Sequence, residues 1–323
     1  MTDQRSPRFI QCPVADSVDD REAARAALLR RPASAAPKYF YDSLGSHLFE
    51  AITELPEYYP TRTEASIFAT HGAAMASAIG AGRAGGLTLV DLGAGNCVKA
   101  SKLFPLLEPT RYVAVDISVE FLRDALRRVQ REQPALSVIG VGLDFSSALD
   151  LPDGLIDGRP AFFYPGSSIG NFTPDEALAF LRRVRERASG GGLLIGVDLV
   201  KPHDVLQRAY DDALGVTAAF NLNLLRQLNR LIGSDFEPRQ WQHVGLYNEV
   251  QSRIEMHLEA REDLVVRWNG SQRRFAAGER IHTENSYKYT PERFGALLEA
   301  AGFGAPRHWS DERDWFSVFW APA

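Results

Sequence analysis

The chain has 323 residues, of which 45% are hydrophobic and 24% charged, with a formal net charge of −5. That length accommodates two packed domains, and the composition is that of an ordinary globular protein. The acidic balance argues against a nucleic-acid partner, no apolar run approaches membrane length, and the start M-T-D-Q-R-S lacks a signal-peptide core, so a cytoplasmic monomer is expected.

Cys12 and Cys97 lie far apart and form no metal-ligand spacing, which suits a reducing compartment and no metal. Residues 1–18 read as polar and irregular. Asp19 or Asp20 caps a helix, R-E-A-A-R-A-A-L-L-R, that ends before Pro32. After the linker P-A-S-A-A-P comes a block dense in aromatics and turn residues. There Ser46 is placed to cap a helix with Phe49, Ile52 and Leu55 on one face. Pro56 and Pro60 hold Tyr58 and Tyr59 in an extended or turn segment. Thr61 or Thr63 starts the next helix, which runs into the loop A-I-G-A-G-R-A-G-G.

From Leu87 strand and helix alternate. The apolar run L-T-L-V ends in Asp91 and the turn G-A-G-N-C-V-K, as a buried parallel strand feeding a loop and a helix does. Gly93 and Gly95 allow the tight turn and leave room for a ligand against the backbone. The strand R-Y-V-A-V-D ends in Asp116, twenty-one residues after Gly95, where an acid can hold the two hydroxyls of a ribose. Val98 stands where a dinucleotide fingerprint needs its third glycine, and no G-K-S/T follows, so neither NAD nor a P-loop nucleotide fits. The pattern resembles the cofactor loop of Rossmann-like S-adenosylmethionine (SAM) methyltransferases, whose cofactor carries no phosphate.

A helix from about Val119 to Arg131, the strand A-L-S-V-I-G-V and the strand Arg159 to Tyr164 follow. Next come P-G-S-S-I-G-N-F, a helix capped by Thr173 with Pro174 and Glu176, and a fifth strand in G-G-G-L-L-I-G-V-D. Five strands with short crossovers imply a parallel doubly wound sheet. The alternation then breaks: 202–231 reads as helical, and 240–284 as short two-sided strands forming an antiparallel sheet. A capped helix from Thr290 and a hairpin close the chain. The expected fold is α/β, with a Rossmann-like domain of residues 62–199 and 289–323. A second, α+β substrate-binding domain is expected from residues 9–61 and 200–288.

Ligands of open α/β sheets lie beyond the carboxyl ends of the strands. Asp144 there either accepts from an adenine amino group, with Phe145 against the ring, or caps the next helix. Lys99 either reaches the carboxylate of the cofactor's amino-acid tail or is a solvated helix lysine. The turn from Pro165 offers exposed backbone at Gly166 and a donor and acceptor at Asn171, which holds an amino group and a carboxylate or else stabilises its own turn.

Longer blocks carry a more specific resemblance. P-K-Y-F-Y-D-S-L-G-S-H-L-F-E-A-I-T-E-L-P-E-Y-Y-P-T-R-T-E, D-L-G-A-G-N-C-V-K, P-G-S-S-I-G-N-F, R-A-Y-D-D, G-V-T-A-A-F-N-L-N and R-I-E-M-H-L are similar to the histidine-specific Nα-methyltransferases of ergothioneine biosynthesis. The resemblance runs from about Pro37 to the C-terminus. It implies three SAM-dependent methylations of the α-amino group of L-histidine, giving the betaine hercynine. It implies that Tyr58 contacts the imidazole, that Asn171 and Tyr210 grip the α-amino and α-carboxylate groups, and that Glu284 and Ser286 recognise the imidazole nitrogens. It also puts Tyr41 near the amino group and a Gly166 backbone contact there, with Tyr41 and Asn171 as the catalytic residues. The cofactor-binding set is Gly93, Lys99, Asp116, Asp144 and Phe145. The chain departs from other members at Ala94 and Asn96, and at Asn285 between Glu284 and Ser286. Faces of Tyr41, Phe49 or Phe220 could stabilise a quaternary ammonium by about 0.5–2 kcal/mol, unless Phe49 and Phe220 are simply core. A methyltransferase of the same build acting on another amino acid or a histidine derivative, and a non-catalytic adenosyl-binding protein, are the competing readings.

Overall fold

A computed structural model describes residues 6–12, 17–82, 84–146 and 148–323. In chain order its strands and α-helices begin with β1 (Arg8–Gln11), α1 (Ser17–Leu29), β2 (Ala33–Ser34), α2 (Ser43–Thr53) and α3 (Pro60–Ile79). They continue with β3 (Leu87–Leu92), α4 (Val98–Leu107), β4 (Arg111–Asp116), α5 (Val119–Glu132), β5 (Ser137–Gly142), β6 (Arg159–Tyr164), α6 (Pro174–Arg187) and β7 (Gly192–Asp198). Then come α7 (His203–Tyr210), α8 (Val216–Ile232), β8 (Trp241–Asn248), β9 (Arg253–Ala260), β10 (Leu264–Trp268), β11 (Ser271–Phe275) and β12 (Arg280–Tyr287). The chain closes with α9 (Pro291–Ala300), β13 (Arg307–Ser310) and β14 (Phe316–Pro322). Two compact units result: Met1–Cys12, Pro60–Val200 and Lys288–Ala323 form the first, and Pro13–Tyr59 with Lys201–Tyr287 the second.

The first unit is built on a sheet of order β1-β5-β4-β3-β6-β7-β14-β13. The five expected strands pair in parallel, as the Rossmann-like reading requires. Strands β3 and β5–β7 read as nearly continuous apolar runs because helices cover both faces. In α5, Leu122, Ala125, Leu126 and Val129 recur at helical spacing and are buried, while Arg123, Arg127 and Arg131 are exposed. The capping box at the start of α6 forms as expected: the Thr173 hydroxyl and Glu176 carboxylate each satisfy the other's backbone N–H. The chain runs β3 to β5 outward and returns to β6 beside β3, so the strand order reverses at β3, where ligands of such sheets bind.

The expectation for the N-terminus needs correcting. Residues 1–5 and 13–16 of the supposedly irregular segment, and Arg83 of the later glycine loop, lie outside the described residues. Arg8–Gln11, however, is a parallel edge strand on β5, so residues 9–11 belong to the first unit and not to the substrate-binding one. Four residues with only Phe9 and Ile10 apolar carry too little pattern to announce a strand. Within the second unit Asp42, not Ser46, caps α2: its carboxylate accepts from Gly45 N at 2.8 Å, and Ser46 sits inside the helix. The strands after residue 240 form two sheets rather than one. These are β2-β12-β9-β8, with β2 parallel to β12, and a separate β10–β11 hairpin closed by Asn269 and Gly270.

Candidate active site

In the first unit, Gly93 and Gly95 both take positive φ, 71° and 51°, and the N–H groups of Gly93 and Ala94 donate to the Val115 carbonyl at 2.8 and 3.1 Å. This pulls the loop after β3 against the end of β4. Asp116 locks it there: one carboxylate oxygen accepts from Gly95 N and the other from Ser118 N, each at 2.8 Å. A carboxylate offers four acceptor positions, so the group keeps room for a ribose hydroxyl. Burial pushes the Asp116 carboxyl above its ordinary range, opposed by the backbone N–H groups of Ser118, Gly95 and Ile117.

Phe145 lies beside the loop, its ring edge-on to Tyr164 at 5.8 Å, and a Cβ on Gly93 would meet it at 3.7 Å. The Gly93 backbone and the Phe145 ring edge thus lie next to each other at the end of the sheet. Asp144 accepts from Ser146 N at 3.1 Å, closing a turn. Among the described residues no helix follows it before β6, so the helix-cap alternative falls away.

Lys99 has a partner that the sequence did not reveal. Its ammonium sits 2.7 Å from Glu64 on α3, whose side chain is 1% exposed, and the other Glu64 oxygen accepts from Gly166 N at 2.7 Å. A side chain at Gly196 would collide with that carboxylate, so the glycine in β7 makes its socket. Lys99 is therefore not a free solvated lysine; it is 35% exposed and tied to the turn after β6. Glu64 closes the block P-T-R-T-E, and only its place in that long motif could have flagged it.

Asp91 was legible merely as a strand end. One of its buried oxygens accepts from the Tyr112 hydroxyl at 2.7 Å, and the other has no hydrogen-bond partner among the described residues. Burial pushes this carboxyl up to about 7; the Tyr112 hydroxyl works against it and the Asp116 charge adds to it. An orphaned buried acceptor, a ribose-spaced acid and an aromatic ring at one sheet edge suit an adenosyl ligand that carries an ammonium. In the turn beyond β6, Gly166 and Ser167 take positive φ, and the Ser167 hydroxyl accepts from Asp198 N at 2.9 Å. The Asn171 side chain makes no hydrogen bond among the described residues, so it does not stabilise its own turn.

In the second unit a series of aromatic rings leads to a polar pair. Phe220 is 2% exposed and stacks on Phe40 at 4.6 Å, which makes it core. Tyr41 and Phe49 pack edge-on at 6.0 Å, Phe49 meets Tyr58 at 6.2 Å, and Tyr58 meets Tyr210 at 6.1 Å. The Tyr210 hydroxyl is 2.7 Å from the Ser286 hydroxyl. Glu284 and Ser286, two apart on β12, share one face, and both are buried. Asn285 points to the opposite face, where its side-chain oxygen is 2.9 Å from His282 Nε2. The departure from the family at Asn285 thus leaves the Glu284–Ser286 face untouched.

The structure brings Gly93, Asp116, Phe145, Lys99 and Gly166 to the carboxyl edge of the first unit's sheet, and groups Tyr41, Tyr58, Tyr210 and Ser286 within the second. Among the described residues no cluster of three or more His, Cys, Asp or Glu could hold a metal, and no helix is long and apolar enough to cross a membrane.

Residues 20–323 match the family described as histidine-specific, SAM-dependent methyltransferases. The chain is 41% identical to the histidine N-alpha-methyltransferase of Mycolicibacterium smegmatis, over 90% of this chain and 91% of that protein. It is 40% identical to the enzyme of that name from Mycobacterium tuberculosis, over 92% and 93%. Among solved structures the CcbJ methyltransferase of Streptomyces caelestis aligns with a TM-score of 0.45 and 14% identity, over 79% of this chain and 89% of that one. With the match extending across both units, the chain belongs to the histidine-specific, SAM-dependent methyltransferase family.

Proposed function

We propose that this protein methylates the α-amino group of L-histidine three times, yielding hercynine for ergothioneine biosynthesis, with the first unit holding the donor and the second the imidazole. The observation that carries this reading is the β12 face: Glu284 and Ser286 side by side, with Ser286 hydrogen-bonded to Tyr210. When bound, SAM supplies an electrophilic methyl group on a sulfonium.

Asp116 takes the ribose hydroxyls, Asp144 the adenine amino group, and Phe145 packs on the base beside Gly93. Lys99 takes the tail carboxylate. Tyr58 lies against the imidazole, Glu284 accepts from one ring N–H, and Ser286 pairs with the other nitrogen. An apolar side chain in that place would offer Glu284 no N–H and Ser286 no nitrogen, which disfavours it. Tyr210 and Asn171 hold the α-carboxylate and α-amino groups, with Tyr41 and the Gly166 backbone near the amine. Net charge is unchanged when a neutral amine displaces a sulfonium, so alignment by these residues is the main lever and can supply up to about 7–11 kcal/mol. The amine loses a proton before each of the three transfers; Tyr41, a bound water or solvent receives it. Asn171 serves the reaction by holding the nitrogen lone pair toward the donor, and Asn171→Ala is expected to cut turnover strongly.

The test is incubation with SAM and L-histidine, read by mass spectrometry. A gain of three methyl groups is expected. A product that stops at one, or methylation of another amino acid with histidine untouched, overturns the reading; donor binding in calorimetry without turnover of any amino acid would make the protein a non-catalytic binder.

A further inference from the structure

The carbonyl of Tyr210 ends α7 and is one of the helix's orphan acceptors. It is not left to water: His243 Nε2, from β8, lies 2.8 Å away. The other ring nitrogen, Nδ1, is 2.8 Å from the Asn221 side-chain nitrogen on α8, and that same nitrogen is 3.0 Å from the His257 carbonyl. A carbonyl only accepts, so the Asn221 atom facing it is the NH2 group, and its second hydrogen goes to His243 Nδ1. Nδ1 therefore carries the lone pair and the ring proton sits on Nε2, aimed at Tyr210. The relay runs one way, from the Asn221 amide through a neutral imidazole to the Tyr210 carbonyl. A proton on Nδ1 would set donor against donor; burial of the ring, which lowers its basicity, favours the neutral form. Gly245, two residues along β8, completes the seat: a Cβ there would come within 2.9 Å of the Tyr210 oxygen.

We infer that His243 is a positioning residue for histidine recognition, acting as a neutral Nε2–H donor that fixes the end of α7 and thereby aims the Tyr210 side chain at Ser286 and the substrate. This rests on the proposed role of Tyr210. It acts on the acceptor alone, because every member of the relay belongs to the second unit.

The test compares His243→Phe, His243→Gln, Gly245→Ala and Tyr210→Phe by steady-state kinetics for both substrates, with donor affinity from calorimetry. His243→Phe should raise KM for L-histidine about tenfold or more and leave donor affinity within about twofold. Glutamine spaces an amide donor and an acceptor much as the ring does and should restore KM to within about threefold of wild type. Gly245→Ala should reproduce the selective histidine defect by crowding the carbonyl, and it carries the test if His243→Phe does not fold. Wild-type KM in both His243→Phe and Gly245→Ala, failure of glutamine to rescue, or an equal loss of donor and histidine binding overturns the inference. If Tyr210→Phe is impaired while the His243 variants are normal, only the relay fails; a normal Tyr210→Phe removes the role of Tyr210 and the relay with it.

Discussion

The two units hold their site groups by different means. In the first, carboxylates are fixed by backbone N–H groups of sharp loops: Asp116 by Gly95 and Ser118, Glu64 by Gly166. In the second, side chain meets side chain across long stretches of sequence, as Tyr210 and Ser286 do, 76 residues apart. A backbone-held site depends on local conformation and tolerates changes in neighbouring side chains. A site built from side chains depends on strand register and helix ends, and under the proposed function it is where substrate choice can change without disturbing the donor.

Substitutions on the two sides should separate cleanly. Asp116→Ala strips two backbone donors of their acceptor, at about 1–3 kcal/mol each, so donor affinity measured by calorimetry should fall about a hundredfold or more. Near-normal affinity would show that the loop does not depend on the acid. Glu284→Ala removes a charged acceptor worth about 1.5–3 kcal/mol, so KM for L-histidine should rise about 10- to 150-fold while donor affinity holds. An equal loss of both would point to misfolding of the second unit.

A smaller effect belongs to Asp91, whose carboxyl is raised from 3.8 to about 7. Between those values the native state keeps a proton that the unfolded state has given up, so stability falls as pH rises through the window and is greatest below it. Asp91→Asn should flatten that fall in denaturant midpoints measured across the same range, and a wild-type slope would contradict the assignment. The smallest effect is expected from Asn285→Val: the side chain faces away from Glu284 and Ser286, so KM for histidine should stay within about twofold. A larger shift would mean that both faces of β12 communicate.

Legibility in the sequence follows the same divide. The parallel strands, the Thr173 capping box and the glycine turn after β3 were readable because each is written in a local pattern: an apolar run, a glycine at positive φ, an acid at fixed spacing. In the second unit, Glu284 on an exposed-looking strand was ordinary until the family resemblance singled it out. Glu64 and His243 were missed because their partners lie 102 and 33 residues away, and nothing in local spacing announces a buried pair. The strand at Arg8–Gln11 escaped because an edge strand of four residues is stabilised by its neighbour and not by its own pattern.

One irregularity in β12 has a larger consequence than its size suggests. Its pairing with β9 slips between His282 and Glu284, leaving Thr283 as an extra residue whose hydroxyl donates to the Met256 carbonyl. Side chains on a strand alternate like odd and even numbers, and this insertion changes the parity. Ile281 before it and Glu284 and Ser286 after it share one face; were Thr283 paired as an ordinary strand residue, Glu284 and Ser286 would turn outward with His282. Under the proposed function, histidine recognition is thus a matter of reading frame: the bulge absorbs Thr283, so deleting that residue would leave Glu284 and Ser286 on the same face, whereas forcing Thr283 into regular pairing would hand their places to Thr283 and Asn285.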